Sequence, residues 1–409
     1  MLPDRAAHEP SAPDARRWQA LTLLAVSVVL SMSPWFSAAA VIGQLRAEWQ
    51  LQPSASAWLT LAVPLGFVGG AVLSAALNLP DRAPPRTLIA LGAVAAAAAN
   101  AALLLASGPV TGTLLRVLTG AALALVYPVT LKLMSAHFTR GRGLALGIMV
   151  GALTLGSALP HLVNGLGGAD WHAVIAVTSL LAVLGGALAL GVPPGPTGAP
   201  PPAFRPAQAW RSVTRGGVGL ATLGYLGHMW ELYAMWTWFG AYFSGVPGSP
   251  GGTRAALATA LVVGTGALGC VLGGVLGDRW GRVRLTVLAM LLSGGAALLL
   301  AALTRAGAGP AALLPVSVFW GFWIIADSAQ FSTVVSEIAD PPYTGTALTA
   351  QLALGFTLSA VSIALVPALQ QWAGWPAVFT VLAAGPLLGA WAMTRLGRHP
   401  DAARIGGRG

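Results

Sequence analysis

Cysteine is almost missing from this sequence, and so is charge. The single cysteine, Cys270, lies in an apolar stretch, so there is no disulfide framework, no thiol pair and no cysteine-based metal site. Charged residues fill 8% of 409 positions, against roughly a quarter in soluble domains, which excludes an ordinary globular protein. There is no Walker loop, so ATP is not the energy source, and no Ser/His/Asp, His-x-x-x-His or paired-Cys arrangement supports an enzyme. Lysine occurs once, against 21 Arg, beside 52 Gly and 29 Pro. That bias strips the net charge of +10 of functional weight, and nucleic acid is not an expected partner. No cofactor or metal is expected.

What the sequence has instead is apolar length. Hydrophobic residues make up 56% of the chain. They fall in stretches of about 20, the length a helix needs to cross a ~30 Å hydrocarbon core. Closing each run at charges, Pro/Gly clusters or Trp predicts twelve spans: 18–41, 55–77, 86–107, 112–134, 143–165, 171–191, 216–243, 254–277, 284–304, 311–335, 344–370 and 374–396. Gly and Pro inside them, such as Pro34, Pro64 and Pro128, are ordinary in lipid-embedded helices. The predicted fold is all-α and integral to the membrane, with 12 transmembrane helices.

The basic residues state the orientation. With the N-terminus in the cytoplasm, 18 of the 22 Lys and Arg fall in inner segments, 3 (Arg46, Arg254 and Arg305) in outer loops, and Arg116 inside a span. One miscounted helix would reverse every side downstream of it. The bias therefore supports the helix number and two cytoplasmic termini, as expected for a multi-pass protein of the plasma (inner) membrane. Arg16 and Arg17 precede an apolar run that reaches Ala38-Ala39-Ala40, the outline of a signal peptide. That run is too long for a typical signal core, and the match to a twin-arginine signal is weak.

Between spans 6 and 7, Pro193-Pro194-Gly195-Pro196 through Pro206 cannot continue a helix and is a predicted linker near the midpoint. The chain repeats weakly on either side of it. Asp81-Arg82 recurs as Asp278-Arg279, 197 positions on, and Trp171 opening span 6 recurs as Trp375 opening span 12, 204 positions on. The predicted organisation is a cytoplasmic tail (1–17), a six-helix bundle (18–191), a cytoplasmic Pro-rich linker (192–215), a second, pseudo-symmetric six-helix bundle (216–396) and a cytoplasmic tail (397–409).

The loop after span 8, Gly274-Val275-Leu276-Gly277-Asp278-Arg279-Trp280-Gly281-Arg282-Val283-Arg284, resembles the G-x-L-x-D-R-x-G-R-x-R motif of the major facilitator superfamily of secondary transporters. The resemblance covers the whole chain. The first copy, residues 77–86, keeps Asp81-Arg82 and Arg86 but has Leu77 and Pro84 where the family has glycine. The resemblance implies gating: Asp278 facing the start of span 5 near Arg142, and Asp81 the start of span 11 near Thr344. A carboxylate is favoured at a helix start by the free N–H groups and the dipole there. The alternative is that both copies are helix-capping, positive-inside loops. Arg116-Val117-Leu118-Thr119-Gly120 resembles the R-x-x-x-G pattern of proton-coupled members. Span 5, with Gly147, Gly151, Gly156 and Pro160, resembles the Gly/Pro-rich helix of antiporters without its Gly-Pro pair. Spans 4–5 and 10–11 look most like the cyanate, nitroimidazole and nitrate-like branches, though no Arg stands in the middle of spans 2 and 8 as it does in nitrate carriers.

Ionisable groups at membrane depth are costly and point to function. Here they are Glu231, Asp327 and Arg116, joined by His161 and His228. At 100° per residue, His228, Glu231, Met235, Trp238 and Tyr242 fall within about 80° on span 7. Glu231 is the first candidate to load and release a proton; the alternative is a Glu permanently bonded to His228 or a facing helix. Asp327 shares a face with Trp320, Trp323 and Gln330, as a site for substrate or proton or as a structural partner for a hydroxyl. Glu337 is expected to pair with Arg279 or Arg282 at the gate. Arg116, aligned with Gly120, Tyr127 and Thr130, stays charged when buried; it would anchor an anion, set a carboxylate's proton affinity or tie helices together. His161, in a stripe with Thr154, Ser157 and Asn164, is expected to be a hydrogen-bonded lining residue. Trp18, Trp49, Trp171, Trp280, Trp372 and Trp375 fit an interfacial belt. Trp35, Trp230, Trp236, Trp320 and Trp323 lie deeper and would line a pocket or face lipid.

The function expected is secondary active transport of a small solute by alternating access, proton-coupled as symport or antiport. The partners are that solute, protons and the bilayer, with the chain a monomer. The alternatives are an uncoupled facilitator or a drug or metabolite exporter of the same fold, and, less favoured, a polytopic membrane protein that does not transport.

Overall fold

The computed structural model describes residues 14–138, 141–167, 170–194, 210–211, 213–340 and 343–406, without the side chains of residues 14–15, 53–54, 80–81 and 167. Among the described residues the chain forms helices and short turns, with no strand. Nine helices among them are long and apolar enough to cross a membrane. The longest, Thr344–Leu396, turns at Gly374, whose φ of 74° suits glycine, and so holds spans 11 and 12. With Asp14–Ser31 of span 1 and Gly216–Ser244 of span 7, the set is consistent with twelve.

Proline opens spans 2, 3, 4 and 10, at Pro53, Pro85, Pro109 and Pro310. The N–H it lacks is one that a helix start leaves unpaired anyway. Three spans are broken. Span 1 opens over residues 32–36 before the short helices Ser37–Ala40 and Ile42–Glu48. Pro34 has no N–H to offer the Leu30 carbonyl, and the Ser33 hydroxyl donates to it instead at 2.8 Å. Span 4 splits into Pro109–Leu123 and Tyr127–His137, and span 10 into Pro310–Trp323 and Ser328–Ile338. Both parts of span 10 begin 201 positions after their counterparts in span 4.

The packing repeats with the breaks. Span 4 lies on spans 2 and 3 as span 10 lies on spans 8 and 9. Span 1 packs on spans 5 and 6 as span 7 packs on the rod holding spans 11 and 12. Glycine lets backbones touch: a Cβ on Gly70 would stand 2.5 Å from the Ala121 carbonyl oxygen, and one on Gly66 or Gly120 would overlap the facing backbone. Lipid tails are as apolar as the side chains they touch, so helices in a bilayer hold by such close packing. The halves meet chiefly along spans 5 and 8, then spans 2 and 11. A Cβ on Gly147 would stand 2.6 Å from the Cys270 oxygen, and one on Gly151 3.1 Å from the Ala267 oxygen, so this seam is closed over much of its length.

The segment after span 12 is docked on the bundle: its 3-10 turn Pro400–Arg404 buries Ala402, and Asp401 accepts the Gly217 N–H at the start of span 7 at 2.8 Å. Trp171 is buried, packs edge-on against Trp49 and donates to Glu48, unlike Trp18, Trp280 and Trp372, which are exposed. Residues 1–13 of the first tail, 195–209 and 212 of the linker and 407–409 of the last tail lie outside the described residues.

Gly120→Ala is expected to destabilise the protein by about 1–3 kcal/mol through overpacking, while Gly69→Ala, with nothing within 4 Å of its Cβ position, is expected to be neutral. Thermal unfolding in detergent compares them, and equal effects would mean that backbone contact does not set the spacing of spans 2 and 4.

Candidate functional site

Arg116 on span 4 is fully buried, and its guanidinium answers the break in span 1. It donates to Pro34 O at 2.9 Å and to Trp35 O, two carbonyls at the opened turn. It donates further to Ser37 Oγ at 3.1 Å and Asn100 Oδ1 at 2.9 Å. Asn100, on the otherwise alanine-rich span 3, donates in turn to Thr178 Oγ1 at 3.2 Å and Ser179 Oγ at 2.9 Å on span 6. This knot ties spans 1, 3, 4 and 6. Sequence reasoning passed over Asn100, although a lone amide in an apolar run is the signal that marks it.

Glu231 holds the corresponding place in the second half. Its Oε2 accepts from Ser293 Oγ on span 9 at 2.6 Å, and its Oε1 from Trp320 Nε1 on span 10 at 2.8 Å. It thus ties spans 7, 9 and 10, the counterparts of spans 1, 3 and 4. The stripe predicted on span 7 disperses among its own half: Trp238 donates to Ile363 O at 3.0 Å, and Tyr242 meets Thr304 at 2.7 Å. Trp230, deep in the same helix, donates to Val381 O at 3.0 Å.

Asp327 lies at the break in span 10, where the helix restarts at Ser328. His228 Nδ1 stands 2.9 Å from Asp327 Oδ1, and both side chains are buried. The imidazole is the one polar contact of Asp327 Oδ1 among the described residues, and Nε2 of His228 has no hydrogen-bond partner. The rings of Phe331 and Tyr225 cover the imidazole, with centroids 5.5 and 6.1 Å away. A buried polar atom without a partner is costly, and the pair carries one at a helix break; Gln351 on span 11 likewise leaves its side-chain nitrogen and oxygen without a partner.

Beside the pair lies a cavity of about 40 Å³ between the halves, walled by Tyr127, Leu131, Leu146, Val150 and Leu153 on one side and Tyr225, Met229, Tyr233, Ile325 and Ser328 among others on the other. That is room for a few waters and no solute. A second cavity, of about 90 Å³, shares Leu352 and Phe356 with the first and continues between spans 2, 4 and 11 past Ser74 and Thr349. Aromatic rings from spans 1, 2, 7 and 11 bridge the halves: Trp35 with Tyr233 and Phe356, Phe36 with Trp236, and Phe67 with Phe356, at 4.7 to 5.8 Å between centroids. Of the predicted cavity residues, Tyr127 lines the first cavity. His228 and Asp327 lie behind its wall, and Glu231, Arg116, Trp238, Gln330 and the buried His161 are not among its lining.

Gln330 belongs to the motif loop. Arg282 donates to Glu337 through Nε at 3.0 Å, to Asp278 Oδ1 through Nη1 at 3.0 Å, and to Gln330 Oε1 at 3.2 Å, while Gln330 Nε2 donates to Gly273 O at 3.0 Å. Glu337 also accepts the Gly406 N–H at 2.9 Å. Of the two expected partners for Glu337, Arg282 is the one in place, and Arg279 is exposed. The Asp278 carboxylate fills the space beside Gly143, next to the exposed Arg142, and Gly274 packs on Gly143 O. Its hydrogen bond comes from Arg282; among the described residues no span 5 amide donates to it. Gly281, at φ 94°, turns the chain into span 9. Pro84 stands at the same place in the first copy and cannot take that φ, and the chain there passes instead through Asn78 at φ 51° and the turn Leu79–Arg82. Arg82 is exposed, and the side chain of Asp81 lies outside the described residues.

Two related helical halves packed around a central cavity among the described residues are an architecture suited to a membrane transporter. A family model described as Major Facilitator Superfamily matches residues 24–364, and the chain belongs to that superfamily. It is a transporter and not an enzyme. The solved structure of the proton:xylose symporter XylE, bound to 6-bromo-6-deoxy-D-glucose, is similar with a TM-score of 0.75 and covers 94% of this chain and 96% of its own. At 14% sequence identity, the likeness is one of fold. No curated protein matches the chain.

Arg116→Met strands two backbone carbonyls and Asn100, and is expected to lower stability by about 1.5–3 kcal/mol, read as thermal unfolding in detergent. For the motif loop, the lone Cys270 serves as reporter. It is buried at the 5–8 seam, 3.7 Å from Thr154 Oγ1. Arg282→Gln is expected to speed its maleimide labelling about three- to tenfold, as a loss of about 1 kcal/mol would. An unchanged rate would mean that the Arg282 network does not hold the seam.

Proposed function

We propose that this protein is a secondary active transporter of a small solute, coupled to protons, with His228 and Asp327 as the coupling pair. It works by alternating access, the halves 18–191 and 216–396 rocking about the central cavity, as a monomer in the plasma (inner) membrane with both termini cytoplasmic. The observation that carries this is the His228–Asp327 pair itself, buried at a helix break directly behind the inter-half cavity, in contact at 2.9 Å and with the second imidazole nitrogen unpartnered. A carboxyl and an imidazole in contact can pass a proton between them, and a helix break gives the backbone freedom to move when they do.

Glu231 is the second candidate. Both its oxygens already have donors, which supports a tie within the second half more than a site that loads and empties. XylE is a proton symporter of similar fold, so this architecture accommodates coupling. The Arg282–Asp278–Glu337 network supports a gate at the loop face, broken when the halves separate.

The test is proton movement, read by an internal pH dye in proteoliposomes, on addition of small neutral, anionic and cationic solutes. A solute that moves protons is expected for the native chain. Asp327→Asn and His228→Gln are expected to cut that movement at least about tenfold while solute exchange persists. Glu231→Gln is expected to act mainly on stability. Solute flux that ignores a pH gradient would overturn coupling and leave the uncoupled facilitator.

A further inference from the structure

We infer that the cavity between the halves, which holds only a few waters in this closed arrangement and must widen as the halves rock, takes an uncharged, partly aromatic solute bearing hydrogen-bonding groups, and that Tyr127, Tyr225 and Tyr233 select it. This rests on the transporter reading above and adds the chemistry of the passenger.

No charged side chain lines the cavity. The buried guanidinium that could have met an anion, Arg116, is spent on Pro34, Trp35, Ser37 and Asn100. The two buried carboxylates turn elsewhere, Glu231 to Ser293 and Trp320, and Asp327 to His228. An ion entering would shed its water against a wall with no opposite charge, a heavy desolvation cost. A neutral solute bears no such cost.

The polar groups the wall does offer are hydroxyls. Tyr127, Tyr225 and Tyr233 are 6%, 4% and 3% exposed, and none of their hydroxyls has a hydrogen-bond partner among the described residues. A buried tyrosine hydroxyl ordinarily finds a partner. Three without one, on a single cavity and drawn from both halves, are donors and acceptors left for a solute. The remaining lining is aliphatic apart from Phe356 and two serines, and the rings of Tyr233 and Phe356 lie 5.2 Å apart. That surface suits a flat ring with one polar edge. A polyol, with hydroxyls on every side, would leave several of them against leucine and valine.

The test is equilibrium dialysis of the purified full chain in detergent with radiolabelled nicotinamide, nicotinate, 1-methylnicotinamide and D-xylose. The first three share a ring and differ in charge: neutral, anionic and cationic. Nicotinamide is expected to bind at least about tenfold tighter than the other three. Tyr127→Phe, Tyr225→Phe and Tyr233→Phe are each expected to weaken it about three- to tenfold at unchanged Tm. Tyr242→Phe, whose hydroxyl meets Thr304 away from the cavity, is expected to bind as the native chain does. Any other order overturns the inference. So does a failure of nicotinamide, benzamide and pyrazinamide alike to bind at millimolar concentration, or binding indifferent to all three cavity substitutions. Dialysis in detergent involves no gradient. Loss of coupling with this order intact therefore overturns only the coupling reading, and a different order with coupling intact overturns only this one.

Discussion

A polar atom inside hydrocarbon has no water to fall back on, so each one must be answered by another polar atom of the protein. In this chain the demand begins with Pro34. The proline opens span 1 and frees carbonyls at membrane depth; Ser33 answers one, and Arg116 answers two more from across the bundle. The arginine then needs Ser37 and Asn100, and Asn100 needs Thr178 and Ser179. One broken turn thereby sets where four helices of the first half must stand.

The second half meets the same demand with the opposite charge. Glu231 sits among spans 7, 9 and 10 as Arg116 sits among spans 1, 3 and 4, and takes its two hydrogen bonds from Ser293 and Trp320. Each half thus spends a charge buried in its bundle on holding its own helices in place, and the second half adds Arg282 at the motif loop. Asp327, at the break in span 10, is the strong charge left in a different condition. Its contact is with an imidazole, and the second nitrogen of that ring is unanswered. Charge in a membrane protein is costly wherever it is buried, so burial alone does not separate a tie from a working site; the count of satisfied bonds does.

Much of the fold was legible. Apolar length marked the spans and the 197-position repeat of Asp-Arg marked two halves, whereas the positive φ at Gly281 came only with the structure. The Asp278 carboxylate lies beside Gly143 at the start of span 5, but its hydrogen bond comes from Arg282. The site was less legible. Helical periodicity grouped His228, Glu231, Trp238 and Tyr242 on one stripe, but a stripe of some 80° meets several neighbours in a six-helix half, and its residues divide among spans 9, 10 and 11. Gln330 shares a face with Asp327 by the same arithmetic, yet the break at residues 324–327 rotates the lower half of span 10 and hands Gln330 to Arg282 and Gly273.

By itself, then, the sequence determined that this is an all-helical membrane protein of two related halves, because hydropathy, basic residues and repeats act on each helix alone. Which of its few buried charges is satisfied, which tyrosines line the cavity, and which arginine takes Glu337 were decided by the tertiary structure. Those outcomes depend on which helices end up adjacent and where they break, and no property of a single span contains that information.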